Sequence, residues 1–227
     1  MADTTIISLG GSIIVPDQID TIFLSAFRRL ILEKVSEGSR FVIICGGGGT
    51  NKRYNAAARE ILPDIDDLSL DLIGISVTKT NAVFIRTLFG DSAHERLMDN
   101  PTKKIITKKN ILIGCAWKPG CSTDKDAVLA AKTFNVDTVI NLSNIDYLYD
   151  KNPKRFLDAK RIERTDWKEL RRLVGDKWSP KLDFPFDPEA AALAQKLKLK
   201  VIIAKGTDVE NLRDILEGKK FKGSVIE

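Results

Sequence analysis

Histidine is almost missing from this chain. One residue, His94, stands among 227, and it sits in a polar run between two segments. Without histidine there is no His-based nucleophile triad and no metal site of the His/Cys type. Cysteine is nearly as scarce. Cys45, Cys115 and Cys121 make an odd count with no CxxC pair. They fit reduced thiols, in the core or beside a site, in a cytosolic protein. No apolar run approaches the ~20 residues of a membrane span, and MADTT leads into an apolar strand without a basic, signal-like start. The expectation is a cytoplasmic chain with no membrane partner.

Aromatic residues are only 7% of the total. They do not interleave with the basic clusters at Lys103, Lys104, Lys108 and Lys109 and across Arg161–Arg172. The net charge of +5 therefore reads as a solvated basic face that favours small anions, more than as a nucleic-acid surface. No Gly-Lys-Ser or Gly-Lys-Thr occurs, so a P-loop is excluded, and a dinucleotide fingerprint would need glycine where Asn51 stands. Neither an internal repeat nor a low-complexity linker is found. Chemistry here must run on carboxylates, cations and backbone amides.

What the chain does have is glycine at strand ends. Phe41–Cys45 is an apolar, β-branched run that stops at four glycines, Gly46 to Gly49, with a helix-compatible run from Lys52 to Leu62. Glycine suits a positive φ or a ligand that approaches too closely for a Cβ. Bare N–H groups between a strand and a helix mouth make an anion site; a merely flexible turn is the plainer alternative. A second such turn, Gly10-Gly11-Ser12, follows the buried-type strand Thr5–Leu9. The two turns are expected to face each other across a gap that holds a phosphoryl group.

Strands and amphipathic helices alternate. Asp20 caps a helix carrying Phe23, Phe27, Leu30, Ile31 and Val35, which Gly38 ends. Leu68–Phe89 reads as a long helix apolar on nearly every side, expected at a contact between subunits. Further strands are expected within 104–115, at Asp137–Leu142, at Val201–Ala204 and near Val225, and a helix at Trp167–Val174. Asp187-Pro188 opens a helix with proline at its first position. Composition, 43% hydrophobic and 30% charged, suits a globular α/β chain built on a mostly parallel sheet covered on both faces. Ligands then bind beyond the carboxyl ends of the strands, where both glycine turns lie.

The ordered series ISLGGS, CGGGGT with a basic pair, DLIGISVTKTNA, PGCSTD, NLSNIDYLYDKNP and PFDPEAA resembles the amino-acid kinase superfamily, and within it the archaeal-type uridylate kinases, over essentially the whole chain. The resemblance implies a three-layer α/β/α sandwich. It also implies a single domain over 1–227, with 1–115 as the acceptor lobe and 116–227 mainly as the ATP lobe. The implied reaction moves the γ-phosphoryl of ATP to UMP, with magnesium carried by ATP and no metal ligands of the protein's own, in a dimer-based homo-oligomer, probable hexamers being usual in the family.

Site roles follow from the same resemblance. Gly10, Gly11, Ser12, Lys118 and Asp187 would be catalytic, with Asp187 organising the site. Gly10, Gly11, Gly47, Lys52, Arg53, Ser143, Tyr149 and Asn152 would meet ATP, with Gly48 beside the phosphoryl. Gly46, Asp71, Gly74, Thr78 and the run Lys118, Pro119, Gly120, Cys121, Ser122, Thr123 and Asp124 would meet UMP, Asp71 reaching the ribose. The chain also departs from the family. Ser8 stands where many members carry a catalytic lysine, Lys52 takes the place of a phosphate-clamping arginine, and Tyr147 and Asn152 differ near the nucleotide base. Lys118, Lys52 and Arg53 are the candidate replacement cations. A sister kinase with another phosphate or carboxylate acceptor, and an anion or molybdate storage protein of the same superfamily, are the alternatives.

Overall fold

The computed structural model describes residues 4–151, 153, 155–174 and 186–227. The described strands are β1 (Thr4–Leu9), β2 (Arg40–Cys45), β3 (Ile111–Gly114), β4 (Thr138–Ser143), β5 (Leu148–Tyr149), β6 (Arg161–Ile162), β7 (Arg164–Thr165), β8 (Lys200–Lys205) and β9 (Ser224–Ile226). The helices are α1 (Gly11–Ile14), α2 (Thr21–Ser36), α3 (Gly48–Ile61), α4 (Asp67–Phe89), α5 (Thr123–Phe134), α6 (Trp167–Val174), α7 (Pro188–Leu197) and α8 (Val209–Leu216).

Seven strands form one sheet in the order β3-β2-β1-β4-β8-β9-β7. Neighbours from β3 through β8 are all parallel, and β9 runs antiparallel to β8. The expected strands are therefore present, joined by three that the apolar pattern does not reveal, the short β7 and the two strands of the separate β5–β6 hairpin. Each of those is two residues long, too short to show a period of two.

Alternation along the central strands creates two cores. Ile7, Ile43, Ile113, Ile140 and Ile202 point to one face, where α2, α4 and α8 supply Phe27, Ile85 and Leu212. Ile6, Val42, Leu112, Val139 and Val201 point to the other, against Val128 of α5, Leu170 of α6 and Ala194 of α7. Because both faces are dry, the strands read as continuous apolar runs. The result is the three-layer sandwich.

Local signals set several helix ends. The Asp20 carboxylate accepts from Phe23 N (2.9 Å), and α2 ends at Gly38 with φ +100. The Asp187 carboxylate accepts from Ala190 N (2.8 Å) with Pro188 at the first position of α7. One expected boundary is wrong. Helix α3 begins at Gly48 and not at Lys52, so the last two glycines of the run belong to its first turn. The reason is crowding: a Cβ on Gly49 would lie 2.3 Å from the Pro16 carbonyl oxygen.

Among the described residues, α4 alone has the length and hydropathy of a membrane span. Its buried stripe, Leu70, Val77, Thr78, Asn81, Ala82, Ile85 and Phe89, lies inside the molecule, while Leu68, Leu72 and Val83 stay exposed.

Phe27 is 1% exposed and packs against Phe23 and Phe89 with ring centroids 5.6 and 6.4 Å away. Phe27→Ala should cost about 3–5 kcal/mol in urea unfolding. A loss under about 1 kcal/mol would mean that this core collapses freely around the hole.

Candidate active site

The five parallel strands end on one edge, at Leu9, Cys45, Gly114, Ser143 and Lys205. The first glycine turn opens there into α1 and the second into α3. They do not face each other across a gap, as expected; they abut. A Cβ on Gly11 would lie 2.0 Å from Gly48 N and 2.5 Å from the carbonyl carbon of Gly46, and one on Gly46 would lie 2.5 Å from Gly11 N. Gly48 adopts φ +66. Main chain packs on main chain, which no side chain permits. The turns are locked by Gly46 N donating to Leu9 O (3.0 Å) and Gly49 N to Val15 O (2.8 Å). No side chain caps α3, and within its first turn the Gly49 amide is spent on the Val15 carbonyl.

Helix α4 crosses behind the second turn. Asn81, 7% exposed, donates through Nδ2 to the carbonyls of Gly46 (2.8 Å) and Gly47 (3.2 Å). Gly74 of α4 faces Asn51, whose amide carbon and both terminal atoms would lie 3.4–3.7 Å from a Cβ there, an ordinary contact distance. The buried hydroxyl of Thr78 donates to Ile75 O (2.8 Å) and accepts from Ala116 N (3.1 Å). Thr78 thus ties α4 to the chain leaving β3. Asp71 is exposed, and its Oδ2 accepts from Gly120 N (2.7 Å). The segment Lys118–Asp124 is thereby held over the edge between α4 and α5, with Ser122 capping α5 through Lys125 N (3.2 Å).

At the centre lies a carboxylate. Asp124 Oδ1 accepts from Ser8 Oγ (3.1 Å) and Asn141 Nδ2 (2.8 Å), and Oδ2 accepts from the Asp187 amide (3.3 Å). Ser8 and Asn141 are register partners on β1 and β4, each 3% exposed. The Asp124 carboxyl is packed deep among them, and this burial, opposed by those hydrogen bonds, pushes its pKa up to about 6. Ser8, at the position of the family lysine, spends its hydroxyl on this acid. Phe186, buried against the Trp167 ring at 6.1 Å, fixes where Asp187 begins α7.

The candidate cations lie elsewhere. The Arg53 guanidinium pairs with Asp17 (3.1 Å), Lys52 is exposed on α3, and Lys118 Nζ sits 4.3 Å from the Trp117 ring centre. Among the described residues none of the three bonds to Asp124. On the far side of the same edge, Ser143 O accepts from Gly206 N (2.8 Å) and Ser143 Oγ from Ile145 N (3.3 Å), while Tyr149 donates to Asp146 Oδ1 (3.1 Å). Asn152 lies outside the described residues. A concavity of about 1210 Å³ opens at the opposite edge, lined by Thr4, Arg40, Lys132, Asp137 and Leu197. It touches neither glycine turn, and the carboxyl edge is where ligands bind in such sheets.

Residues 3–205 match the amino acid kinase family. The chain belongs to that family. As a family member it is 31% identical to the uridylate kinase of Thermoplasma volcanium over 229 residues, covering 100% of this chain and 99% of that one. It is 29% identical to the uridylate kinase of Thermococcus kodakarensis, with 98% of each chain covered. Among solved structures, the uridylate kinase from Archaeoglobus fulgidus superposes with a TM-score of 0.83 at 25% identity, over 99% of this chain and 100% of that one. UMP kinase from Ureaplasma parvum has a TM-score of 0.78 at 20% identity, a likeness of fold.

The bonds from Ser8 and Asn141 to Asp124 are what reading the residues passed over. Their signal is a polar side chain inside an apolar strand, IISL or VINL, next to the functional edge.

The Asp124 shift has a sign that can be checked. The ordinary value of 3.8 rises to about 6 in the fold, so the unfolded chain gives up this proton first and Asp124 lowers stability as pH rises through that window. Asp124→Asn removes that component. Its stability relative to the parent should improve from about pH 4 to about pH 7 in urea titrations. A difference that stays constant over the range would contradict the assignment.

Proposed function

We propose that this chain transfers the γ-phosphoryl group of ATP to UMP, forming ADP and UDP. The observation that carries the reading is the likeness, over the full length of both chains, to the uridylate kinase of Thermoplasma volcanium. The geometry supports it, because both glycine turns, Asp124 and Asp187 gather at the carboxyl ends of the parallel strands.

Phosphoryl transfer asks for alignment and charge neutralisation more than for covalent chemistry. The acceptor phosphate is already ionised, so its oxygen attacks the γ-phosphorus without a strong base, and the bond to the β–γ bridging oxygen breaks to release ADP. Gly11, Ser12, Gly47 and Gly48 lend backbone amides to the moving group, while Gly10, whose own amide donates to Leu142 O (2.9 Å), shapes the turn. Such rigid donors are worth roughly 3 kcal/mol each where charge develops. Magnesium, bound to the ATP phosphates, would neutralise their charge and needs one or two carboxylates at most. Among the described residues no group of three or more His, Cys, Asp or Glu could hold a metal; Asp124 takes the main-chain amide of Asp187, whose own carboxylate caps α7.

Gly46, Asp71, Gly74 and Thr78 with the segment Lys118–Asp124 form the acceptor side, Asp71 turning from Gly120 to the ribose. Ser143, Tyr149, Asn152, Lys52 and Arg53 serve ATP. Lys118, Lys52 or Arg53 supplies the cation that Ser8 does not. The reaction places the protein in the cytoplasm, in pyrimidine nucleotide synthesis, which suits its three free cysteines.

With magnesium and ATP, ADP release should be at least about tenfold faster with UMP than with CMP, aspartate or acetylglutamate. Preference for another acceptor would overturn the reading. Asp71→Ala should raise the KM for UMP far more than that for ATP.

The exposed apolar residues Tyr54, Ile61, Leu62, Leu68, Leu72 and Val83 on and between α3 and α4 support a homo-oligomer built from dimers, a hexamer in line with the family resemblance. Ile61→Asp, at a position 83% exposed, should lower the mass seen by sedimentation. An unchanged mass would move the contact elsewhere.

A further inference from the structure

Of the charged groups among the described residues that the chemistry above leaves unused, one is fully buried. Asp126 is 0% exposed on the first turn of α5, beside Ala127, Val128, Ala130 and Ala131. Alanine there would pack with its neighbours and avoid the cost of dehydrating a carboxylate. Both oxygens of Asp126 are spent on a single loop. Oδ2 accepts from Trp117 N (3.1 Å) and Oδ1 from the Cys121 thiol (3.1 Å).

We propose that Asp126 is a positioning residue that pins both feet of the 117–121 turn and so sets the fit of the nucleotide acceptor. This inference rests on the acceptor reading above and deepens it. The turn is closed by Cys121 N donating to Lys118 O (3.2 Å), and Gly120 at its tip has φ +71. It is held from two sides by unlike bonds. Asp71 grips the tip from α4 with an exposed carboxylate, and water or a ribose hydroxyl competes for that oxygen. Asp126 grips the feet from α5 out of reach of water, where a hydrogen bond costs more to break. When Asp71 turns to the ribose, Asp126 keeps the turn in place. Burial, together with the neighbouring Asp126 charge and the hydrogen bond to it, pushes the Cys121 thiol up to about 12, so the pinned thiol is a poor nucleophile.

The pin can be read in two ways. Asp126→Ala should raise the KM for UMP by on the order of tenfold while the KM for ATP changes by less than about twofold. Cys121→Ala should move the KM for UMP in the same direction, and Cys121→Ser, which keeps a donor, should restore it part of the way. In the intact protein, maleimide labelling of Cys121, read by mass spectrometry, should speed up on the order of tenfold in Asp126→Asn, as a freed thiol ionises more readily. Equal rises in both KM values, or no rise for UMP, would overturn the proposal. If Asp126→Ala does not fold, the Cys121 pair decides, and equal KM values in Cys121→Ala and Cys121→Ser would overturn it. If the parent protein does not turn over UMP, the acceptor reading fails by itself, and the labelling rate still decides whether the pin exists.

Discussion

Two pieces of main chain lie in direct contact at the heart of this protein, Gly11 against Gly46 and Gly48. The hypothetical side-chain distances of 2.0–2.5 Å leave no room for any other residue type on either side. From that contact the rest of the edge follows. β1 and β2 must end level with each other, and α1 and α3 must start side by side. Asn81 braces the second turn from behind, so the position of α4 is tied to the same place.

A partly buried acid is the second organising element. Asp124 gathers β1, β4 and the start of α7 through three donors, none of which carries a formal charge. A lysine at the position of Ser8 would neutralise that acid directly. A hydroxyl leaves it polar, and burial raises its pKa because hydrogen bonds from neutral donors, which lower it, offset only part of the desolvation. Ser8 brings Asp124 a hydrogen bond and no charge. Lys118 and Arg53 are engaged elsewhere, with Trp117 and with Asp17.

The acceptor loop shows how carboxylates of equal charge can do different work. Asp71 is wet and can trade its partner for a ligand. Asp126 is dry and cannot do so cheaply. Burial alone separates the exchangeable contact from the permanent one.

Much of the fold was legible in the residues themselves. Apolar β-branched runs such as Phe41–Cys45 can only be strands dry on both faces, and Asp20, Asp187-Pro188 and Gly38 mark helix ends because capping is local chemistry. The glycines at 10, 11 and 46–48 also announced a functional edge, and the ordered motifs named the family. What local pattern could not carry was contact between distant segments. Two-residue strands show no period, and the start of α3 at Gly48 depends on Pro16 crowding it from another loop. Whether the glycine turns grip a gap or each other is settled only when β1 and β2 pair in register. Likewise Ser8, Asn141 and Asp124, or Asp126 and Trp117, become partners because the sheet and α5 bring them within hydrogen-bonding reach, and burial then decides the charge and the reactivity of each.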